Sequence, residues 1–137
     1  MMISTKGRYA LRVMLDLAEP EFGTLVSLKE AARRPDLSMK YLEAIAAMLH
    51  RAGLVQSQRG KDGGYRLARP ASEISVAEIL RCTEGTLAPV NCSSLSGAPC
   101  ERSDSCRSLP LWRALDRHVD TFLSEITLED LLLGRIG

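Results

Sequence analysis

The chain has 137 residues, 45% of them apolar, enough for one globular domain with an appended element, and no run of about 18 apolar residues that would span a membrane. Its net charge of only +1 hides an asymmetry: residues 1–69 carry 12 Lys/Arg against 7 Asp/Glu, whereas residues 70–137 carry 6 against 10. A basic N-terminal half suits a polyanionic partner, although an imbalance of this size also arises by chance.

The opening MMISTKGRYALRVMLDLAE keeps charges within its apolar stretch and lacks a small-residue cleavage site, so it does not read as a secretory signal. A cytoplasmic chain is expected. In that reducing environment four cysteines point to metal or redox chemistry rather than to structural disulfides.

Thr5 is positioned to cap a first helix running to about Glu19, with Ala10, Val13, Met14 and Leu17 as its buried stripe and Pro20 and Gly23 ending it. Ser27 and Glu30 have the spacing of a capping box for a short second helix, stopped near Pro35. Ser38 caps a third, whose Leu42, Ile45, Ala46 and Leu49 repeat at i, i+3, i+4 and i+7 before Gly53 ends it. Two short helices joined by a tight turn have the shape of a helix-turn-helix.

Residues 54–59 then alternate like a strand, Gly60-Lys61-Asp62-Gly63-Gly64 is a turn cluster, and Tyr65-Arg66-Leu67 returns, giving a β-hairpin wing closed by Pro70. Ser75 starts a fourth helix that ends near Gly85. A Ser-, Gly- and Pro-containing loop of about residues 86–107 follows, and Ser108 and Pro110 open a long helix. Along it Trp112, Leu115, Val119, Phe122 and Ile126 follow a 3-4 alternation that predicts a coiled-coil-like dimer seam. Thr127 to Asp130 restart a short terminal helix. The expected fold is mainly α with a small β-hairpin wing: a winged helix-turn-helix at 1–70, then a cysteine loop and a long dimerisation helix at 71–137.

A helix lying in the major groove offers its N-terminal side chains to base edges while its apolar stripe stays on the protein. On the third helix that places Ser38, Lys40, Tyr41 and Glu43 outward. Ser reaches a phosphate or a base, Lys a phosphate or guanine, and Glu the cytosine amino group. Arg59 and Lys61 fall at the wing tip, where an Arg can enter a narrow minor groove. Winged helices also serve as protein-docking modules, so the pattern alone leaves both readings open. GKDGG is not a phosphate-binding loop, because GK[ST] is absent.

Cys92, Cys100 and Cys106 share the loop at spacing C-x7-C-x5-C. Thiolates on such a backbone can hold an iron–sulfur cluster. Zinc is less favoured without a C-x2-C knuckle, and a disulfide switch or inert thiols remain as alternatives. Cys82, inside the fourth helix, reads as a small packed hydrophobe. His50 and His118 read as surface or seam-edge residues rather than ligands. No Ser/His/Asp set or nucleotide loop argues for an enzyme.

The segments ISTKGRYALRVMLDLA, LSMKYLEAI, AGLVQSQRGKDGGYRLARP, VAEIL-x-x-TEG, the cysteine loop, Leu111-Trp112 and ITLEDLL together resemble the Rrf2 family of bacterial winged-helix transcription regulators. The resemblance spans nearly the whole chain, and its most specific part is RG-x-x-GGY after the YLE helix. It implies a homodimer joined by the long helix, with one winged helix on each half of a palindromic DNA operator. It carries DNA contacts to Ser38, Lys40, Tyr41, Glu43 and Arg59, and iron–sulfur ligands to Cys92, Cys100 and Cys106. The cysteine spacing is similar to that of the family's iron-responsive branch.

There is one departure. Cluster-assembly regulators of the family carry a His three residues after the last cysteine, where this chain has Leu109. The nitric-oxide-sensing branch can use an N-terminal acid of the other protomer as a ligand, and that neighbourhood here holds Arg8 and Arg12. The fourth ligand is therefore open among Glu101, Asp104, Ser108, water and a small thiol, and the nuclearity is open between [2Fe-2S] and [4Fe-4S]. The resulting expectation is a DNA-binding regulator, a repressor or redox sensor, whose operator binding is controlled by an iron–sulfur cluster on the three loop cysteines, in iron–sulfur biogenesis or in iron or redox sensing. A thiol/disulfide or zinc-dependent regulator of cysteine metabolism is the alternative, and a cluster carrier that does not bind DNA is a third.

Overall fold

A computed structural model describes residues 3–31, 37–90 and 105–136. Helix α1 (Thr5–Ala18) starts one residue earlier in its capping than the hydroxyl pattern suggests. Ser4, not Thr5, has the extended N-cap backbone, and its side chain accepts from the Gly7 N–H at 3.0 Å. The stripe Ala10, Val13, Met14 and Leu17 is buried as its spacing predicts.

Helix α2 (Leu28–Ala31) follows Ser27, whose hydroxyl accepts from the Glu30 N–H at 3.2 Å. The expected stop near Pro35 lies outside the described residues. Helix α3 (Met39–Arg51) is capped by Ser38, which accepts from the Tyr41 N–H at 3.1 Å, and it buries Leu42, Ile45, Ala46 and Leu49. Gly53 adopts φ +75°, and the Leu54 N–H bonds back to the Leu49 carbonyl, so the chain leaves the helix in a left-handed turn that glycine favours.

Strands β1 (Val55–Gln58) and β2 (Gly64–Leu67) form an antiparallel hairpin with Val55 opposite Leu67 and Gln58 opposite Gly64. Val26 adds an isolated bridge to Tyr65, each N–H bonding the other's carbonyl at 2.8 Å. After a 3-10 turn at Ala71–Glu73, helix α4 (Val76–Glu84) begins with a reciprocal Ser75–Glu78 capping box and ends at Gly85, φ +78°.

Burial opposes ionisation of Glu78, but the Ser75 N–H and the Arg69 guanidinium outweigh it and hold the carboxyl below its ordinary range. The same Arg69 donates to the Glu73 carbonyl at 2.9 Å, so it fastens the end of the wing to the start of α4.

Helix α5 (Leu109–Glu125) carries Pro in its first turn, where a missing N–H costs nothing. Helix α6 (Leu128–Leu132) restarts through a Thr127–Asp130 capping box, as the sequence indicates. Between them Ile126 is extended. Its carbonyl accepts from the Val76 N–H at 2.8 Å, and the Leu128 N–H reaches the Ile74 carbonyl at 3.0 Å.

One cluster unites Ala10, Val13, Met14 and Leu17 of α1 with Leu42, Ile45 and Leu49 of α3, the wing's Val55 and Leu67, Ile79 of α4 and Leu128 of α6. Elements on both sides of residue 70 thus share one core. A second cluster holds Val76, Leu80 and Leu87, with Leu123 and Ile126 packed against it.

Leu128 lies far along the chain from the helix-turn-helix yet is fully buried in its core. Leu128→Ala is expected to cost about 2–5 kcal/mol in chemical denaturation, with one cooperative transition. A separate early transition of residues 71–137 would contradict a shared core.

Candidate nucleic-acid interface and cysteine segment

The first turn of α3 displays Ser38, Met39, Lys40, Glu43 and Ala44 to solvent, because the stripe beginning at Leu42 is turned into the core. Tyr41 is different. It is half-buried, packs against the main core, and meets the ring of Tyr9 edge-on, with centroids 6.1 Å apart. Its ring therefore helps set how the start of α3 rests on α1.

The wing presents Arg59, Gly60, Lys61 and Asp62 at its exposed tip. Gly60 takes φ +113°, and the Gly63 N–H closes the turn on the Gly60 carbonyl at 3.1 Å. A Cβ on Gly63 would strike the backbone of Gln58, and one on Gly64 the backbone of Val26. The GG pair therefore answers close approaches of main chain to main chain. The Arg66 guanidinium donates to the Gln56 side chain at 3.1 Å across the strands, adding a cation to the wing's exposed side.

The Val26 bridge escaped the sequence reading. It anchors the hairpin to the segment just before α2, and its only sequence trace is an apolar residue immediately preceding the Ser27 cap. The bridge holds Arg59 and Lys61 at a fixed distance from the helix-turn-helix, which a free hairpin would not.

Of the three loop cysteines, Cys106 is described, whereas Cys92 and Cys100 lie outside the described residues, as do Glu101 and Asp104. Cys106 sits at the mouth of α5 with its Sγ 3.4 Å from the Ser108 hydroxyl. That hydrogen bond, aided by the N–H groups of Ser108 and Leu109 and opposed by slight desolvation, draws the thiol below the ordinary cysteine range. A partly exposed, readily deprotonated thiol is the form that binds soft metal. Among the described residues no three His, Cys, Asp or Glu side chains gather as a metal site.

Leu109, at the position of the missing His, is buried, and its N–H donates to the Cys106 carbonyl at 3.3 Å. Arg8 and Arg12 are exposed on α1. Cys82 packs half-buried against the main core and donates its S–H to the Met48 carbonyl at 3.4 Å. Burial pushes its thiol up, against a smaller pull from Arg51. His50 and His118 are both exposed.

On α5, Leu111, Leu115 and Phe122 are 58%, 39% and 55% exposed, and Trp112 and Val119 are half-buried beside them. Ile126 lies one residue beyond the helix, packed toward Val76 and Leu80. Leu111, absent from the predicted seam, extends the exposed apolar stripe by a turn. No helix among the described residues is long and apolar enough to cross a membrane.

A helix-turn-helix with an anchored basic hairpin and a capped, solvent-facing α3 defines a winged-helix DNA-binding protein. The chain belongs to the Rrf2 family, whose model, described as an iron-dependent transcriptional regulator, matches residues 3–133. It is 41% identical over 136 residues to the HTH-type transcriptional regulator IscR of Cereibacter sphaeroides, covering 96% of this chain and 87% of the relative.

Among solved structures it superposes on CymR, the global cysteine regulator of B. subtilis, with a TM-score of 0.79 at 37% identity, covering 96% of this chain and 95% of the other. It superposes on IscR of T. potens with a TM-score of 0.72 at 38% identity, covering 98% and 88%. The protein is a DNA-binding transcription regulator, and its relatives are regulators rather than enzymes.

The two described thiols should differ in reactivity. With Cys92 and Cys100 replaced by Ser, a small alkylating reagent at neutral pH is expected to modify Cys106 about tenfold or more faster than Cys82, read by mass spectrometry of peptides. Because the Cys106 thiol is lowered and the Cys82 thiol raised, the Cys106 rate should persist to lower pH. Equal rates and equal pH midpoints would contradict the geometry at α5.

Proposed function

We propose that this regulator's binding to a palindromic operator is controlled by an iron–sulfur cluster held by Cys92, Cys100 and Cys106. The observation that carries the reading is Cys106: a partly exposed thiol with a lowered pKa, at the start of the long helix and in a C-x7-C-x5-C segment between α4 and α5. The relatedness to IscR regulators supports it. When bound, the cluster supplies a redox- and oxygen-labile group whose presence or loss is the signal. The chain's own part would be to offer thiolates there, in a segment that lies in sequence between α4 and α5. With Leu109 apolar and buried, that position adds no ligand, which leaves the fourth ligand to another group and the cluster open to loss.

On the DNA side, Ser38, Lys40 and Glu43 present polar groups to the major groove, Tyr41 steadies them, and Arg59 and Lys61 on the wing reach backbone or minor groove. The exposed stripe Leu111, Leu115 and Phe122, with Trp112 and Val119, is apolar enough to call for a second copy. We place Ile126 at the edge of that homodimer seam. Two protomers then meet two half-sites, in a cytoplasmic protein acting as a repressor or redox sensor.

A second reading keeps the DNA binding and lets the same three cysteines act as a thiol/disulfide or zinc switch in cysteine metabolism. The closeness to CymR favours it over a DNA-independent cluster carrier.

Arg59→Ala is expected to weaken binding to the protein's own promoters by about 1–3 kcal/mol. Lys40→Ala should weaken it and lower the salt slope by about one unit if Lys40 meets a phosphate. Titrations at two salt concentrations measure both, and unchanged affinity in both variants would put the reading surface elsewhere.

Protein expressed with iron and purified without oxygen should show an iron–sulfur absorption band with matching iron and sulfide counts. Replacing Cys92, Cys100 or Cys106 by Ala should abolish the band, whereas Cys82→Ala should keep it. A colourless, zinc-loaded protein, or one whose spectrum never depends on iron, would favour the second reading.

A further inference from the structure

We infer that Glu84, through its bond to the start of α1, is a positioning residue for the recognition helix α3. The inference uses only the chain's standing as a DNA-binding regulator and does not depend on the cluster.

Glu84 is the last residue of α4, yet its Oε1 accepts from both the N–H and the hydroxyl of Ser4, each at 2.7 Å and 80 residues away in sequence. The same Ser4 hydroxyl accepts from the Gly7 N–H at 3.0 Å and so caps α1. Glu84 thereby holds the capping residue itself. Gly7 makes room for it: a Cβ at that position would collide with Glu84 Oε1 and crowd Thr83 Oγ1 and Ile3 Cγ2, both at 3.2 Å.

Two residues beyond Gly7, Tyr9 meets Tyr41 edge-on, with the rings at 89°. Tyr41 lies in the first turn of α3, between the exposed Lys40 and Glu43. A shift of the α1 N-terminus is therefore passed through one ring contact to the turn that faces DNA.

The other end of this path makes a surface contact with α5. One turn before Glu84, Arg81 forms an ion pair with Asp120 of α5. Immediately after it, Gly85 at φ +78° turns the chain into the segment that carries the cysteines. The TEG triplet thus has a physical account. Thr83 ties its hydroxyl to the Leu80 carbonyl at 3.1 Å, Glu84 grips α1, and Gly85 turns the chain. The last turn of α4 thus touches the long helix and the start of α1, and leads into the segment that carries the cysteines.

The test uses the full chain, a duplex selected by the wild-type protein from a randomised pool, and a random-sequence duplex as control. Glu84→Ala is expected to lower affinity for the selected duplex about tenfold while changing the control by less than about twofold. Glu84→Gln, which keeps an acceptor oxygen for Ser4, should stay within about threefold of wild type. Gly7→Ala, whose Cβ would displace Glu84 Oε1 from Ser4, should also lower the ratio of selected to random affinity, a readout that a loss of stability alone does not move. Combining Glu84→Ala with Tyr9→Leu should cost less than the product of the two single losses, because both cut one path.

The inference is overturned if Gly7→Ala and Glu84→Ala keep the wild-type ratio of selected to random affinity, whatever their melting temperatures, or if the combined losses multiply. Should Glu84→Ala fail to fold, Gly7→Ala alone decides between these outcomes.

Discussion

The buried stripe of α1 is the surface on which the rest of the molecule is assembled. Ala10, Val13, Met14 and Leu17 meet α3 on one side, α4 and α6 on another, and the wing on a third. Each large side chain taken from water there contributes about 1.5–3 kcal/mol, and the amide groups around it are tied up in helices and the hairpin. Because α1 is shared, α3 and the helices on either side of the cysteine segment are not packed independently. The second cluster, around Val76, Leu80 and Leu87, extends this framework toward α5 without a separate core of comparable size.

What the sequence reveals of this fold follows from the range of the forces involved. Helices α1 and α3 are legible because their apolar periods and Ser caps act within a few residues. The hairpin is legible because glycines cluster between two alternating runs. The choice of Ser4 over Thr5 as the α1 cap is not legible, since it depends on a carboxylate 80 residues away. Nor is the Val26 bridge, which is a single residue and has no period. Ile126 keeps the heptad count, but spacing says nothing about the backbone. Ile126 is extended just before the Thr127 cap and lies against α4. Leu111 shows the converse, an exposed apolar residue that the heptad count passed over.

The candidate site divides in the same way. Ser38, Lys40, Glu43, Arg59 and Lys61 could be assigned from pattern because they occupy the outward positions of elements whose inward positions are apolar. Tyr41 could be placed in the first turn, but its ring contact with Tyr9 depends on how α1 and α3 cross. For the cysteines, spacing and loop composition name the thiols, while the lowered pKa of Cys106 depends on the local fold around Ser108 and Leu109. The Cys106 thiol beside the N-terminus of α5 and the Glu84 carboxylate bound to Ser4 lie at either end of the segment between α4 and α5.

On the proposed function, one and the same protein should change its operator affinity with the state of its cysteine segment. The direct measurement is an operator titration under anaerobic conditions at fixed salt, on protein with its iron–sulfur chromophore intact and on the same preparation after the cluster has been removed and the thiols kept reduced. The two isotherms are expected to differ by tenfold or more, about 1.4 kcal/mol, with binding to random-sequence DNA unchanged. Superimposable isotherms from a protein shown to carry the cluster would contradict it.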